Sequence, residues 1–310
     1  MMIANKQKAI IKMVLFCVML CLATFCFGQD IEPRRWSPLP SKTNVLAVGY
    51  AHTSGDIIFD PLLQAEDVSV KVNSAVVSYI RPFKLANKLA RFDVVLPYVN
   101  ATWKGLLNGV PARVDRDGFS DPRVRLSINL TGAPAGTGKE LQEYMATHPV
   151  NTTIGVSLAV IVPLGQYFEE KLINLGQNQF VFTPQVGFVH NWKKWSYELT
   201  GSVSFFSKNP NFSSGQDKRL DPVFAVQTHL IKTFKPRYWT SVSLGYGLGG
   251  KSVVNRQSNN DERGDVQYGL AFGFPLLKKQ GMKVFYIHSE TVKDVGSNLN
   301  VIGLGWSILF

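Results

Sequence analysis

Cysteine is missing from this sequence after position 26. Its three copies, Cys17, Cys21 and Cys26, all lie within residues 1–28. From Gln29 to Phe310 there is therefore no disulfide, no thiol nucleophile and no thiolate metal ligand. Acid is missing from residues 1–28 as well. They carry Lys6, Lys8 and Lys12, then the apolar stretch MVLFCVMLCLATFCFG. A basic start, an apolar stretch of about 15 residues and a small-residue exit describe a secretory signal peptide, cleaved near Gly28. Phe25 before Cys26 argues against lipoprotein processing. The stretch is short for a spanning helix, which takes ~20 residues. No later run reaches that length, so no spanning helix is expected.

Metal-binding pairs of histidine are also absent. His52, His148, His190, His229 and His288 fit neither H-x-H nor H-E-x-x-H, so no metal and no cofactor is expected. Charge is present but unclustered. The whole chain is +11; without the leader thirty bases face twenty-two acids, leaving +8. Small lysine runs occur at Lys193–Lys194 and Lys278–Lys279. A nucleic-acid footprint would be a basic stripe interleaved with aromatics. Its absence excludes that partner class and leaves anionic lipid headgroups as the counter-charge.

What the sequence does have is a period of two. In VQYGLAFGFPL, Val266, Tyr268, Leu270, Phe272 and Phe274 alternate with Gln267, Gly269, Ala271 and Gly273. NQFVFTPQVGFVHNW, KKWSYELTGSVSFF, YWTSVSLGYGLGG and DPRVRLSINL repeat the pattern. Strict alternation marks half-buried strands. A solvated strand face would carry many charges. Here the polar face is mostly Gly, Ala, Ser, Thr, Asn and Gln, and the aromatics sit near strand ends. Small and polar inside with large and apolar outside is the transmembrane barrel pattern. The expected fold is all-β: a closed antiparallel up-and-down barrel of about twelve strands in an outer membrane. The strands fall at 45–54, 67–81, 89–103, 120–131, 151–162, 179–191, 194–207, 221–234, 237–250, 264–275, 281–291 and 299–310.

Four short links, PFKLANK, WKK, FKPRY and LLKKQG, alternate with longer polar ones, as periplasmic turns and outer loops do when both termini are periplasmic. The exception is 131–150, long where a turn is due, with a short helix in KELQEYMAT. Residues 29–44 form a polar, proline-rich arm, either an entry arm or a plug, ahead of a barrel over 45–310. VSVKVNSAVVSYIRPF and GMKVFYIHSETV read in either phase.

GYGLGG at 245–250 fits the dinucleotide pattern but lacks the following helix that would hold a pyrophosphate. Its glycines share one strand face and make room in the lumen. His288, Ser289 and Glu290 are adjacent, yet a strand turns Ser289 away from the other two, so no catalytic group is expected. The inward polar residues matter more: Arg91, Asp93, Arg123, Arg125, Gln185, Glu198, Gln227, His229 and Gln267. They either pair across the lumen and seal it or line a path whose selectivity they set.

At FSDPRVRLSINLTGAP and VPLGQYFEEKLINLGQNQFVFTPQVG the chain resembles the outer-membrane transporter family named for the meta-pathway of phenol degradation. LAVGYAHTSGDIIFDP, ARFDVVLPYVNATWKG and LDPVFAVQTHLIKTFKP extend the likeness over most of the chain. The resemblance implies an outer-membrane barrel passing small hydrophobic or aromatic compounds, with no catalytic residues. The final strand, with Trp306, Ile308 and Phe310 on one face, resembles the closing signal read by barrel assembly machinery. The expected function is passive passage of a small apolar or aromatic solute. The alternatives are a structural or adhesive barrel with a sealed lumen, and an outer-membrane lipase or protease with Ser or Asp beside His on neighbouring strands. A soluble exported β-sandwich is the alternative fold.

Overall fold

The computed structural model describes residues 31–59, 65–212 and 215–310. The leader expected over 1–28 lies outside the described residues. Twelve wall positions close into one antiparallel ring. In order they are β1 (Val45–Ile58), β2 (Ala65–Leu85), β3 (Lys88–Leu107), a split position made of β4 (Val110–Phe119) and β5 (Arg123–Asn129), β6 (Val150–Ile161), β7 (Val181–Trp192) and β8 (Trp195–Phe206). After the short outer strands β9 (Asn209–Phe212) and β10 (Gln216–Leu220) come β11 (Val223–Lys235) and β12 (Tyr238–Gly249). The outer strands β13 (Ser252–Val254) and β14 (Gln257–Ser258) precede β15 (Arg263–Leu277), β16 (Gln280–Thr291) and β17 (Gly296–Leu309). The ring closes where β1 pairs with β17, from Val45↔Leu309 to Ile58↔Gly296. Closure satisfies backbone groups that lipid cannot.

The faces divide as the alternation implies. Phe272, Leu244 and Ile302 are exposed on the outside, while Ser243, Ser241 and Ala271 are buried within. A soluble sandwich would reverse this. Tyrosines near the outer rim carry polar caps: Tyr50, Tyr98 and Tyr286 hydroxyls donate to Asn73, Asp117 and Asn300 at 2.6–2.7 Å. Such rings are apolar at one end and wet at the other, which suits a membrane interface. In the two phase-ambiguous strands the structure turns Val77 and Tyr79 outward on β2, and Val284 and Tyr286 outward on β16.

The outer face departs from the sequence reading. LLNGVPARVDRDG was expected as a loop. Residues 110–119 are instead β4, paired with the upper half of β3 from Leu107↔Val110 to Tyr98↔Phe119. The turn is Asn108-Gly109, both with positive φ, as a tight hairpin turn requires. Charges on its outer face are tolerated because they engage one another. Arg113 makes two bonds to Asp115, which also accepts from Thr102. The polar links 207–222 and 250–263 likewise hold a small sheet, β14-β13-β10-β9.

The long lower link contains α1 (Gly138–Thr147), as expected. Thr137 caps it and Glu140 returns the bond, a capping box. The backbone N–H of Thr137 donates to the Glu140 carboxylate and holds its pKa below the ordinary value. Ser41 donates through N–H and hydroxyl to the Gly136 carbonyl, tying this link to the entry segment.

Candidate functional site in the barrel lumen

The nine inward residues expected from strand phase all face the interior, but they fall into three groups. Arg91, Asp93, Arg123 and Arg125 come together because β3 and β5 pair in register, Asp93 opposite Arg125 and Val95 opposite Arg123. Arg91 and Arg125 both donate to Asp93, which is 2% exposed. Glu198, Gln227 and His229 lie across the lumen on β8 and β11. Gln185 and Gln267 stand apart. Gln185 accepts from Ser157 at 2.8 Å, and the Gln267 Oε1 has no partner among the described residues.

Residues 31–36 join the first two groups. This polar segment has no periodicity, so its partners could not be read from sequence. Glu32 accepts from Arg123 and Arg125, each at 2.7 Å, with Arg35 3.6 Å away. The Glu32 backbone N–H donates to Gln227 Oε1 at 3.0 Å, and that of Arg34 to Glu198 Oε2 at 2.8 Å. Since Gln227 Oε1 accepts, the His229 Nε2 beside it at 2.8 Å is the protonated nitrogen, and Nδ1 accepts from the Ser243 hydroxyl. Arg35 donates to Ser127 at 2.6 Å, and Arg91 to the Arg35 carbonyl at 3.0 Å.

Trp36 anchors the segment. It is 2% exposed, and its indole N–H donates to Thr200 at 2.8 Å. Its ring lies on Gly155 and Gly187, where an added methyl would overlap it. Ile31 fits in the same way against Gly245 and Gly269. Of the glycines in GYGLGG, Gly245 thus makes room for Ile31.

Among the described residues two large cavities lie in the lumen, and they share no lining residue. The outer one, 560 Å³, lies under the loops and is lined by Tyr167, Gln179, Asn209, Phe212, Arg263 and Asp265 among others. Its two cations, Lys218 and Arg263, balance Asp261 and Asp265. The inner one, 850 Å³, reaches the short-turn end at Arg237, Lys278 and Lys279. Nine cations line it, Arg237, Lys278 and Lys279 exposed at its mouth and Arg34, Arg35 and Lys283 among the others, against two lining carboxylates, Glu32 and Asp93. Residues 32–35 line the inner cavity, and Ile31 lies against Gly245, two positions below Gly247 of the outer one, so the segment stands between the cavities.

Two quoted motifs meet at Asp121. Its Oδ1 accepts the Gly165 N–H at 2.8 Å, and its Oδ2 the Gln177 N–H at 2.7 Å. Ser120 and Arg116 add bonds to the Leu175 and Ile173 carbonyls. The loop 162–180 is thereby folded over the split between β4 and β5.

His229 and Ser243 are a His–Ser pair on neighbouring strands at one height, as an enzymatic site would need. They are 1% and 4% exposed, both imidazole nitrogens are occupied, and neither residue lines the outer or the inner cavity.

Among solved structures, an outer-membrane channel from Pseudomonas putida F1 superposes with a TM-score of 0.76 at 18% identity, covering 91% of this chain and 100% of that one. The transport unit of the Escherichia coli autotransporter AIDA-I gives 0.48 at 11% identity over 91% and 93% of the two chains. The CymD monoaromatic hydrocarbon channel gives 0.44 at 9% over 88% and 89%. The last two are too distant to bear on function. No curated protein matches by sequence. The fold is that of the outer-membrane channel. Residues 48–301 match the family described as "Putative MetA-pathway of phenol degradation", and the chain belongs to it.

Proposed function

We propose that the protein is a passive outer-membrane channel for small apolar or aromatic compounds, with a preference for those carrying a negative charge. The observation that carries this reading is the inner cavity, where nine cations face two carboxylates. Inside a low-dielectric wall such an excess raises the local concentration of anions. A carboxylate or phenolate on an apolar ring suits it. The family's description links it to phenol degradation, and a protein of the same fold is a channel. Arg91, Asp93, Arg123 and Arg125 are the proposed lining of the inner cavity, with Gln185, Glu198, Gln227, His229 and Gln267 as inward wall residues outside it. Trp306, Ile308 and Phe310 are the proposed recognition face for assembly machinery.

Arg123 and Arg125 set the preference. Replacing Arg123 with Gln or Ala is expected to move the reversal potential in a salt gradient toward non-selectivity, and Arg125→Ala further. Arg125→Ala leaves the buried Asp93 with fewer partners, and breaking such a pair costs about 3–5 kcal/mol. The more accessible Arg123 is therefore the cleaner test. An unchanged anion preference in both variants would remove them from the mechanism.

A sealed structural barrel is the second reading, favoured by one observation: residues 31–35 separate the two cavities. Planar-bilayer recording divides the two, since a sealed barrel conducts nothing in any state.

A further inference from the structure

The four short turns at the end where Asn44 and Phe310 pair are basic without exception. Lys84 and Lys88 flank the first, Lys193 and Lys194 form the second, Lys235 and Arg237 the third, and Lys278 and Lys279 the fourth. No acid lies within 82–89, 192–195, 234–239 or 275–281. All eight cations are exposed. Among the described residues none forms a salt bridge, although Lys84 lies near enough to Glu140 to influence it. The opposite end is different, with Arg113–Asp115, Lys208–Asp217 and Lys293–Glu262 paired.

Each turn also carries lipid-facing apolar side chains beside its cations. Leu85, Phe234, Leu276 and Leu277 are exposed there. Trp192 and Trp195 bracket the Lys193–Lys194 pair. Lys232 rests over the Trp195 ring at 4.0 Å, and Lys235 over Tyr238 at 4.1 Å. Arg237 donates to the Leu277 and Lys278 carbonyls at 2.8 and 2.7 Å, joining two turns into one basic platform.

Like charges this dense repel unless a counter-charge is held among them. We infer that this collar is a docking surface for the phosphates of anionic phospholipids in the inner leaflet, with the neighbouring apolar side chains receiving their acyl chains. Two features select lipid over a protein partner. The turns are spread around the barrel, joining β2 to β3, β7 to β8, β11 to β12 and β15 to β16, so one partner would reach all of them only by capping the inner mouth. The cations also adjoin the exposed Leu85, Phe234, Leu276 and Leu277, the pairing of charge and apolar surface that a lipid phosphate with its acyl chains meets.

The test uses the full chain purified in neutral detergent. Phosphatidylglycerol or phosphatidylcholine of identical acyl chains is added, and both bound lipid by native mass spectrometry and the thermal midpoint are read. Phosphatidylglycerol is expected to bind and to raise the midpoint above the phosphatidylcholine value, and about 0.5 M salt to erase the difference by screening. K193Q/K194Q/K278Q/K279Q is expected to weaken phosphatidylglycerol binding about tenfold or more. The charge-retaining K193R/K194R/K278R/K279R keeps it and controls for folding. Equal effects of the two lipids on the unaltered chain would overturn the proposal, as would a glutamine variant that keeps its preference. Inorganic phosphate that reproduced the midpoint shift would overturn it too, by revealing an anion site with no need of a lipid.

Discussion

Deleting residues 31–41 from the otherwise complete chain is expected to raise single-channel conductance several-fold and to lower the thermal midpoint. The conductance rises because the segment stands between the two cavities. Ile31 fills the space beside Gly245 and Gly269, and Trp36 that beside Gly155 and Gly187. None of these glycines can replace what is removed, so water and solute take its place. Stability falls for separate reasons. Truncating a large buried aromatic such as Trp36 costs about 3–5 kcal/mol, and the Thr200 hydroxyl loses its donor. Loss of Glu32 leaves Arg123 and Arg125 without a shared carboxylate. Point variants separate the two effects. Trp36→Ala is expected to lower the midpoint while conductance rises less than in the deletion, since Glu32 keeps its ion pairs. If the deletion leaves conductance at zero, the lumen is closed by something else and the sealed-barrel reading gains. Glu32→Gln also tests electrostatics. It removes one of two carboxylates facing nine cations, so anion preference should increase even as stability drops.

The wall was legible in the sequence because one physical rule writes it. Every residue of β7, β8, β11, β12 and β15 must choose between lipid and an enclosed interior, and the choice alternates. β4 was missed because that rule lapses where the wall leaves the lipid. Above the tyrosine girdle an outward Arg113 or Asp115 costs nothing, so its charges looked like a loop. Asn108-Gly109 between apolar neighbours was the signal that pointed to a hairpin. β9, β10, β13 and β14 are too short for alternation to register. Half of the lumen site was legible for the same reason as the wall. Strand phase turned Arg91, Asp93, Arg123 and Arg125 inward, but phase says nothing of what meets them. Glu32, Arg35 and Trp36 belong to an irregular segment whose fit depends on glycines more than a hundred positions away. Gly155 and Gly187 announced space without announcing its occupant.

Asp121→Asn is expected to release the loop 162–180 and to cost about 3 kcal/mol, since bonds to a charged acceptor contribute roughly 1.5–3 kcal/mol each. The carboxylate accepts Gly165 N–H through one oxygen and Gln177 N–H through the other. An amide offers only one such oxygen and sets an NH₂ against the second donor. Asp121 is buried, so water cannot fully replace the lost acceptor. Its surroundings also forbid repair by packing. Methyls added at Gly165 or Gly176 would press on Asp121 itself, so Gly165→Ala should resemble Asp121→Asn. The freed loop then keeps the bonds of Ser120 and Arg116 and those of Gln166 to the Phe119 and Asp117 carbonyls on that side. Limited proteolysis of the protein in liposomes should show new cleavage within 163–178, beside Lys171 in the first instance, at protease levels that leave the unaltered chain intact. The same loop roofs the outer cavity through Tyr167, Leu172 and Asn174, so its release should also raise open-channel noise without changing ion selectivity, which we propose the inner cavity sets. Asp121→Asn protein with unchanged proteolysis and unchanged noise would mean that Asn209, which donates to Tyr167 and to the Gln177 carbonyl, holds the loop together with Gln166.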